Sequence, residues 1–281
     1  MKRGEKLKPL FSLGPISIHF FGLMIAIGAI AGLFLFVREA KRRDMDHKLL
    51  LDGAIYSLFG GILGARIVYI LIYNPNYYLA NPLEVFFIQN GGLSIHGGIL
   101  GGLIVGYLFL KRHNLPIWKT LDIIAPSLIL AQGISRIGCD VFGGPIIGSY
   151  PWGVEKYGVL LHPAQAYEFI LDFILFGYLW LRLKNPRYTG QVFLHYLIGF
   201  LAIRGIVEFA RINPMVIGPF SVSHVMSIVG IFIAIFLIRD RKKAGSLDKV
   251  MPVGKIEYVK TGLFVLIMII LSVLFYYGVQ G

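Results

Sequence analysis

Apolar residues fall in blocks of about twenty, the length of helix that crosses a bilayer core. Short polar stretches separate the blocks. They predict eight helices, at roughly 17–37, 53–73, 92–110, 120–138, 164–181, 190–210, 221–238 and 261–278. The fourth and fifth carry polar residues near one end. The pattern predicts an all-α polytopic integral membrane protein. Residues 241–260 read as a polar cytoplasmic linker between a bundle in 1–240 and an additional transmembrane helix in 261–281.

Composition agrees with this. Hydrophobic residues make up 56% of 281 and charged residues only 15%, against about 25% charged in soluble domains. The net charge of +12 has no soluble domain to form a basic stripe, so nucleic acid is not expected as a partner. Cys139 is the only cysteine, which excludes an intrachain disulfide. No small-residue cleavage site follows the first apolar run, so no cleavable leader is expected.

The distribution of Lys and Arg is more informative than their sum. Segments 38–52, 111–119, 182–189 and 239–260 hold 18 of them, and 74–91, 139–163 and 211–220 hold two. Positive residues favour the cytoplasmic side, so both termini are expected outside. The tail with Lys2, Arg3, Lys6 and Lys8 is the one exception to the alternation.

With that orientation, intramembrane polar groups from seven helices fall near the outer surface. They are His19, Arg66, His96, Arg136, a cluster of His162, Gln165, Tyr167 and Glu168, then Arg204, Glu208 and Arg211, and finally His224. The chief exception is His195, near the inner end of its helix, and Asp172 also lies deeper. Agreement in depth predicts a cavity opening to the outer leaflet, positive through Arg66, Arg136 and Arg204. Guanidinium forks suit bidentate binding of phosphate. His96 is expected about one turn inside its helix, and an ionisable group there is a functional-site candidate.

Structural readings stand beside these. Glu208 can pair with Arg204 or Arg211 along one helix face. Arg66 can snorkel to the surface. Glycines at 97/101, 98/102 and 102/106 fit small-xxx-small helix packing. Cys139 reads as a small packing residue more readily than as a nucleophile.

The block Gly91-Gly92-Leu93-Ser94-Ile95-His96-Gly97-Gly98 resembles a signature of the prolipoprotein diacylglyceryl transferase family. So do His19-x-x-Gly22-Leu23-Met24, Gly64-x-Arg66-x-x-Tyr69 and Arg136-Ile137-Gly138-Cys139. His162-Pro163-x-Gln165-x-Tyr167-Glu168 and Arg204-x-Ile206-Val207-Glu208-Phe209-x-Arg211 complete six blocks in the family's order. The resemblance implies a seven-helix transferase-like core in a bacterial plasma (inner) membrane, its site toward the outer face. It implies transfer of a diacylglyceryl group from phosphatidylglycerol to the lipobox cysteine of an exported preprolipoprotein, releasing glycerol 1-phosphate, without metal or cofactor. Carried over residue by residue, His96, Arg136 and Arg204 would be catalytic. Arg66, Gly97, Gly98, Gly138 and Glu208 would join Arg136 and Arg204 around the lipid headgroup. His162, Gln165, Glu168, Arg211 and Cys139 are further candidates.

The chain also departs from the family's pattern. Phe21 and Phe200 stand where Tyr is common, His224 where Gln is typical, and Ser135, Asp140 and Gly144-Pro145 alter the signature loop. Two alternatives follow: a paralogue moving another lipid group or using another acceptor, and a non-enzymatic phospholipid-binding or transport protein.

Overall fold

The computed structural model describes residues 11–13, 16–73, 75–87, 91–148, 150–156, 158–243 and 253–280. The basic N-terminal tail, Tyr157 and the middle of the expected linker, 244–252, lie outside the described residues. Eight long helices are present among those described: α1 (Phe20–Arg42), α2 (His47–Tyr73), α4 (Ile95–Arg112), α5 (Ile117–Ile137), α6 (Ala164–Lys184), α7 (Gln191–Glu208), α8 (Val222–Lys243) and α9 (Lys255–Gln280). A short helix α3 (Pro75–Ala80) and a 3-10 turn, Pro82–Phe86, follow α2. The described residues outside the helices include three hairpins: β1–β2 (Phe11–Leu13, Ile16–Ile18), β3–β4 (Val154–Lys156, Val159–Leu161) and β5–β6 (Met215–Ile217, Phe220–Ser221).

The expected eight helices are there, with shifted ends. Residues 241–243 extend α8 and 255–260 belong to α9, so the linker is shorter than its polar composition suggests. Among the described residues six helices are long and apolar enough to cross a membrane, the long helices α4 and α6 falling short. Five glycines and the terminal Lys111-Arg112 dilute α4, and α6 carries Glu168, Asp172, Arg182 and Lys184. The chain is a multi-pass membrane protein. Helices α1, α4, α6 and α8 finish on Lys or Arg in their last turn, where cations complement the helix dipole. These are the ends that the charge bias assigns to the cytoplasm.

The chain forms two compact units, Phe36–Thr120 and the remainder (Met1–Leu35 with Leu121–Gly281). In the smaller unit α2 packs along α4 through glycines. A Cβ at Gly64 would collide with the Gly97 carbonyl and Gly101 backbone, and one at Gly101 with the Gly60 carbonyl. In lipid there is little hydrophobic force between helices, so backbones that approach this closely gain from dispersion instead. The Asp46 carboxylate caps α2 by accepting the Leu49 N–H at 3.1 Å. Ser94 precedes α4 and its Oγ accepts the Gly97 N–H.

In the larger unit α6 is the most buried helix. Phe176, Leu179 and Leu183 pack on Ala125 and Ile129 of α5 and Val192 and Tyr196 of α7. Phe169 and Phe173 pack with Tyr276 of α9 and Met24 of α1. The Asp122 side chain on α5 accepts the N–H groups of Gly190 (2.6 Å) and Phe193 (3.0 Å), capping α7 from a neighbouring helix. That satisfies donors a helix start otherwise leaves unpaired.

Candidate active site

The first turns of α6 enter the larger unit with three polar residues on one face, Gln165, Glu168 and Asp172, all at most 1% exposed. Spacings of three and four place them above one another on a helix. Glu168 Oε1 pairs with Arg136 Nη2 at 2.9 Å, and Oε2 lies 3.9 Å from Arg211 Nη1. One carboxylate thus joins the end of α5 to the segment after α7. Arg204 Nη2 lies 3.0 Å from Glu208 Oε2 and donates to Ser223 Oγ at 3.3 Å. Three guanidiniums therefore meet two carboxylates, and these five groups carry a net charge of +1.

Buried atoms on both sides of these pairs lack a hydrogen-bond partner among the described residues, Glu168 Oε2 and Glu208 Oε2 among the acceptors. Arg204 Nη1 and Arg211 Nη1 are buried with no hydrogen-bond acceptor among the described residues. Burial, and the charges of Arg204 and Arg136, push the Arg211 guanidinium below its ordinary pKa. An additional anion would relieve that strain.

The loop after α5 is fixed from several sides. Gln165 Nε2 donates to the Cys139 carbonyl at 3.1 Å, and Tyr276 on α9 donates to Gln165 Oε1 at 3.3 Å. Arg136 Nη1 approaches Cys139 Sγ at 3.9 Å. Gly143 N–H donates to the His162 carbonyl and Gly144 N–H to that of Ala210, each at 2.8 Å. Gly148, at φ 114°, has a backbone that favours glycine. His162 Nδ1 lies 3.2 Å from the Tyr167 hydroxyl.

Glu208 is held by the hairpin that follows it. Its Oε1 accepts from Ser221 Oγ at 2.5 Å and Asn213 Nδ2 at 2.8 Å. His224 Nδ1 accepts the Ser221 N–H at 3.1 Å. A glutamine side-chain carbonyl could accept the same bond. Phe200 stacks on Tyr196 with ring centroids 5.9 Å apart, while the Tyr196 hydroxyl meets Gln132 at 3.1 Å. A phenol on the neighbouring turn of α7 is thus engaged although residue 200 has none.

In the smaller unit His96 is the second residue of α4, not one turn inside it. Residues 91–94 are irregular rather than helical, with Gly91 and Gly92 both at φ 84° and only Ser94 extended. The imidazole is exposed, with no hydrogen bond among the described residues. Arg66 differs more from expectation. Its Nε donates to the Val85 carbonyl at 3.0 Å, Nη1 to those of Gly91 (2.7 Å) and Gly92 (3.0 Å), and Nη2 to that of Glu84. The side chain is buried and Tyr78 covers the guanidinium. Arg66 staples the connection between α2 and α4 through four backbone carbonyls.

Three other residues expected around the headgroup also make structural contacts. Gly97 is needed for packing, because a Cβ there would strike the Gly64 carbonyl and Val68. A Cβ at Gly138 would meet Met24 side-chain atoms at 2.7 and 2.8 Å. Glu208 orients Arg204. Gly98 is roomier, its nearest contacts lying 3.6 Å from an added Cβ. Cys139 is buried and serves through its carbonyl. Ser221, Asn213 and Tyr276 were not anticipated. The turn signals Asn213-Pro214 and Gly218-Pro219 were the available hints for the hairpin.

The model of the prolipoprotein diacylglyceryl transferase family matches residues 8–239. The chain is 35% identical over 223 residues to the phosphatidylglycerol–prolipoprotein diacylglyceryl transferase of Clostridioides difficile (strain 630), covering 79% of this chain and 90% of that protein. It is 35% identical over 252 residues to the enzymes of the same name from Bacillus cereus (strain G9842) and Bacillus mycoides (strain KBAB4). Those matches cover 84% of this chain and 93% of each relative.

Proposed function

This chain belongs to the prolipoprotein diacylglyceryl transferase family, and from that premise we propose that it transfers the diacylglyceryl group of phosphatidylglycerol to a prolipoprotein cysteine. The observation that carries this reading is the arginine cluster of the larger unit. Arg136, Arg204 and Arg211 carry one more positive charge than Glu168 and Glu208 balance, and Arg204 Nη1 and Arg211 Nη1 are buried without a hydrogen-bond acceptor among the described residues. Such groups in an apolar bundle suit a phosphate diester whose acyl chains lie in lipid.

The chemistry follows from charge. The acceptor thiol has an ordinary pKa near 8.5 and needs a base at neutral pH. The family resemblance assigns that proton transfer to His96, an exposed imidazole of the smaller unit. The thiolate attacks the glycerol carbon that bears the phosphate ester. A carbon–sulfur bond forms and the carbon–oxygen bond to phosphate breaks. Glycerol 1-phosphate departs with the bonding electron pair, and His96 then returns its proton to solvent or to the leaving phosphate. Arg136 and Arg204 stabilise the negative charge that grows on the leaving group, with no solvent reorganisation at the moment of reaction. Glu168 and Glu208 hold the two forks in place. The enzyme itself supplies no nucleophile, in keeping with the buried Cys139.

In this reading the protein lies in a bacterial plasma membrane, with its site toward the outer face where exported preprolipoproteins emerge. The lysine and arginine bias supports that orientation. Complementation tests the function. The wild-type chain should restore lipoprotein modification to a strain depleted of its own transferase, and His96→Asn and Arg136→Ala should not. Rescue by both variants would overturn the reading, as would failure of a well-expressed wild type.

A further inference from the structure

The opposite end of the larger unit has a second polar site that this reaction does not use. A cavity of about 450 Å³ lies where α6 ends, α7 begins and α8 ends. Arg182, Arg187 and Lys242 line it together with Tyr188, Gln191 and His195. None of its lining residues is acidic. Arg182 is 14 residues from Glu168 along α6, about 21 Å at helical rise. The cavity is therefore separate from the arginine cluster.

Nearby carboxylates are committed elsewhere. Asp122 accepts two backbone N–H groups of α7, Glu257 pairs with Lys184, and Asp240 lies 3.5 Å from Arg241. Among the described residues, Arg182, Arg187 and Lys242 make no ion pair. Two buried donors also lack an acceptor, Arg182 Nε and the Tyr188 hydroxyl, and Tyr188 is only 4% exposed. An orphaned buried donor is costly, so each such group calls for a partner. Burial, with the Asp122 carboxylate close by, raises the Tyr188 pKa and keeps the phenol a donor. The Arg187 N–H is bonded to Gln191 Oε1 at 2.7 Å, which fixes the loop that carries Arg187 and Tyr188.

We propose that this cavity binds a phosphate group at the cytoplasmic end of the bundle. Three cations and a buried phenol, with no carboxylate in the wall, form a set of donors that fits phosphate oxygens. The short loop and helix ends place the cavity at headgroup depth, as in basic pockets between membrane helices on the cytoplasmic side. The phosphate can come from an anionic phospholipid of the inner leaflet or from a soluble phosphate ester.

Native mass spectrometry of the detergent-purified full chain separates these sources. The probes are phosphatidylglycerol, phosphatidylcholine and inorganic phosphate, applied to wild type, Arg187→Gln/Lys242→Gln and Tyr188→Phe. Arg187 is exposed and Tyr188→Phe keeps the ring, so the fold should survive, as gel filtration will show. For a lipid, wild type retains one more phosphatidylglycerol than the double variant, with no difference for phosphatidylcholine. For a soluble ester, lipid counts match but phosphate raises the melting temperature of wild type at equal ionic strength. That gain then needs about tenfold more phosphate in the double variant, from the loss of two charged contacts. Tyr188→Phe should weaken whichever response appears, and transferase activity should be unchanged in both variants. Equal lipid counts and equal phosphate responses in all three proteins would overturn the proposal.

Discussion

Replacing Glu168 by Gln tests the electrostatic account of the arginine cluster at its centre. The carboxylate is 1% exposed and sits 2.9 Å from Arg136 and 3.9 Å from Arg211. At an effective dielectric of about 20 these separations correspond to roughly 6 and 4 kcal/mol of gross attraction. Desolvation of the carboxylate offsets several kcal/mol of that sum. Removing one partner of a buried pair costs about 3–5 kcal/mol, and the 29% exposure of Arg136 puts this case near the lower end. At about 2–4 °C per kcal/mol, Glu168→Gln should melt roughly 6–12 °C lower in detergent. The same substitution removes the anion that competes with substrate phosphate for Arg136 and Arg211. The KM for phosphatidylglycerol should therefore fall or hold, while kcat drops because the forks are no longer fixed. Both are read from thioether formation on a lipobox peptide. An unchanged melting temperature would refute the ion-pair account. A raised KM at unchanged stability would mean that Glu168 meets the substrate directly.

Other expectations follow from single contacts. Tyr276→Phe removes the hydroxyl bonded to Gln165 and should cost about 1 kcal/mol of stability. It should also lower kcat several-fold without changing the KM for phosphatidylglycerol, showing that α9 supports the loop after α5. Gly101→Ala pushes a methyl onto the Gly60 carbonyl and should destabilise the protein by about 1–3 kcal/mol, whereas Gly22→Ala, with open space around it, should be neutral by thermal unfolding. Arg66→Lys loses the geometry that reaches four carbonyls. It should lower thermal stability by about 2 kcal/mol or more and leave the KM for phosphatidylglycerol unchanged once folded protein is counted.

How far the sequence could be read depended on the range of each interaction. Arg136 and Glu168 were both placed near one surface from helix depth, and they pair at 2.9 Å. Depth works because a helix advances by a fixed rise and the bilayer fixes the frame. Depth said nothing of the partners of Arg66, which are carbonyls on the connection from α3 to α4, whose path no periodicity encodes. The glycines of α4 were legible as a packing seam, but the matching Gly60 and Gly64 on α2 were not, because a small-residue pattern does not name its partner. Glu208 looked like one half of a helical ion pair. The Ser221 and Asn213 bonds depend on how the β5–β6 hairpin folds back, which is a tertiary fact. Tyr276 lies in an apolar block whose only visible message was membrane insertion, and its burial against α6 came from the packed structure.

The most direct test of the central claim is mass spectrometry of a synthetic lipobox peptide incubated with the purified protein and phosphatidylglycerol. The account predicts a mass increase of one diacylglyceryl group on the cysteine, stoichiometric release of glycerol 1-phosphate, and loss of both with His96→Asn or Arg204→Ala. No adduct on the cysteine, where a Bacillus cereus relative modifies the same peptide under the same conditions, would contradict it.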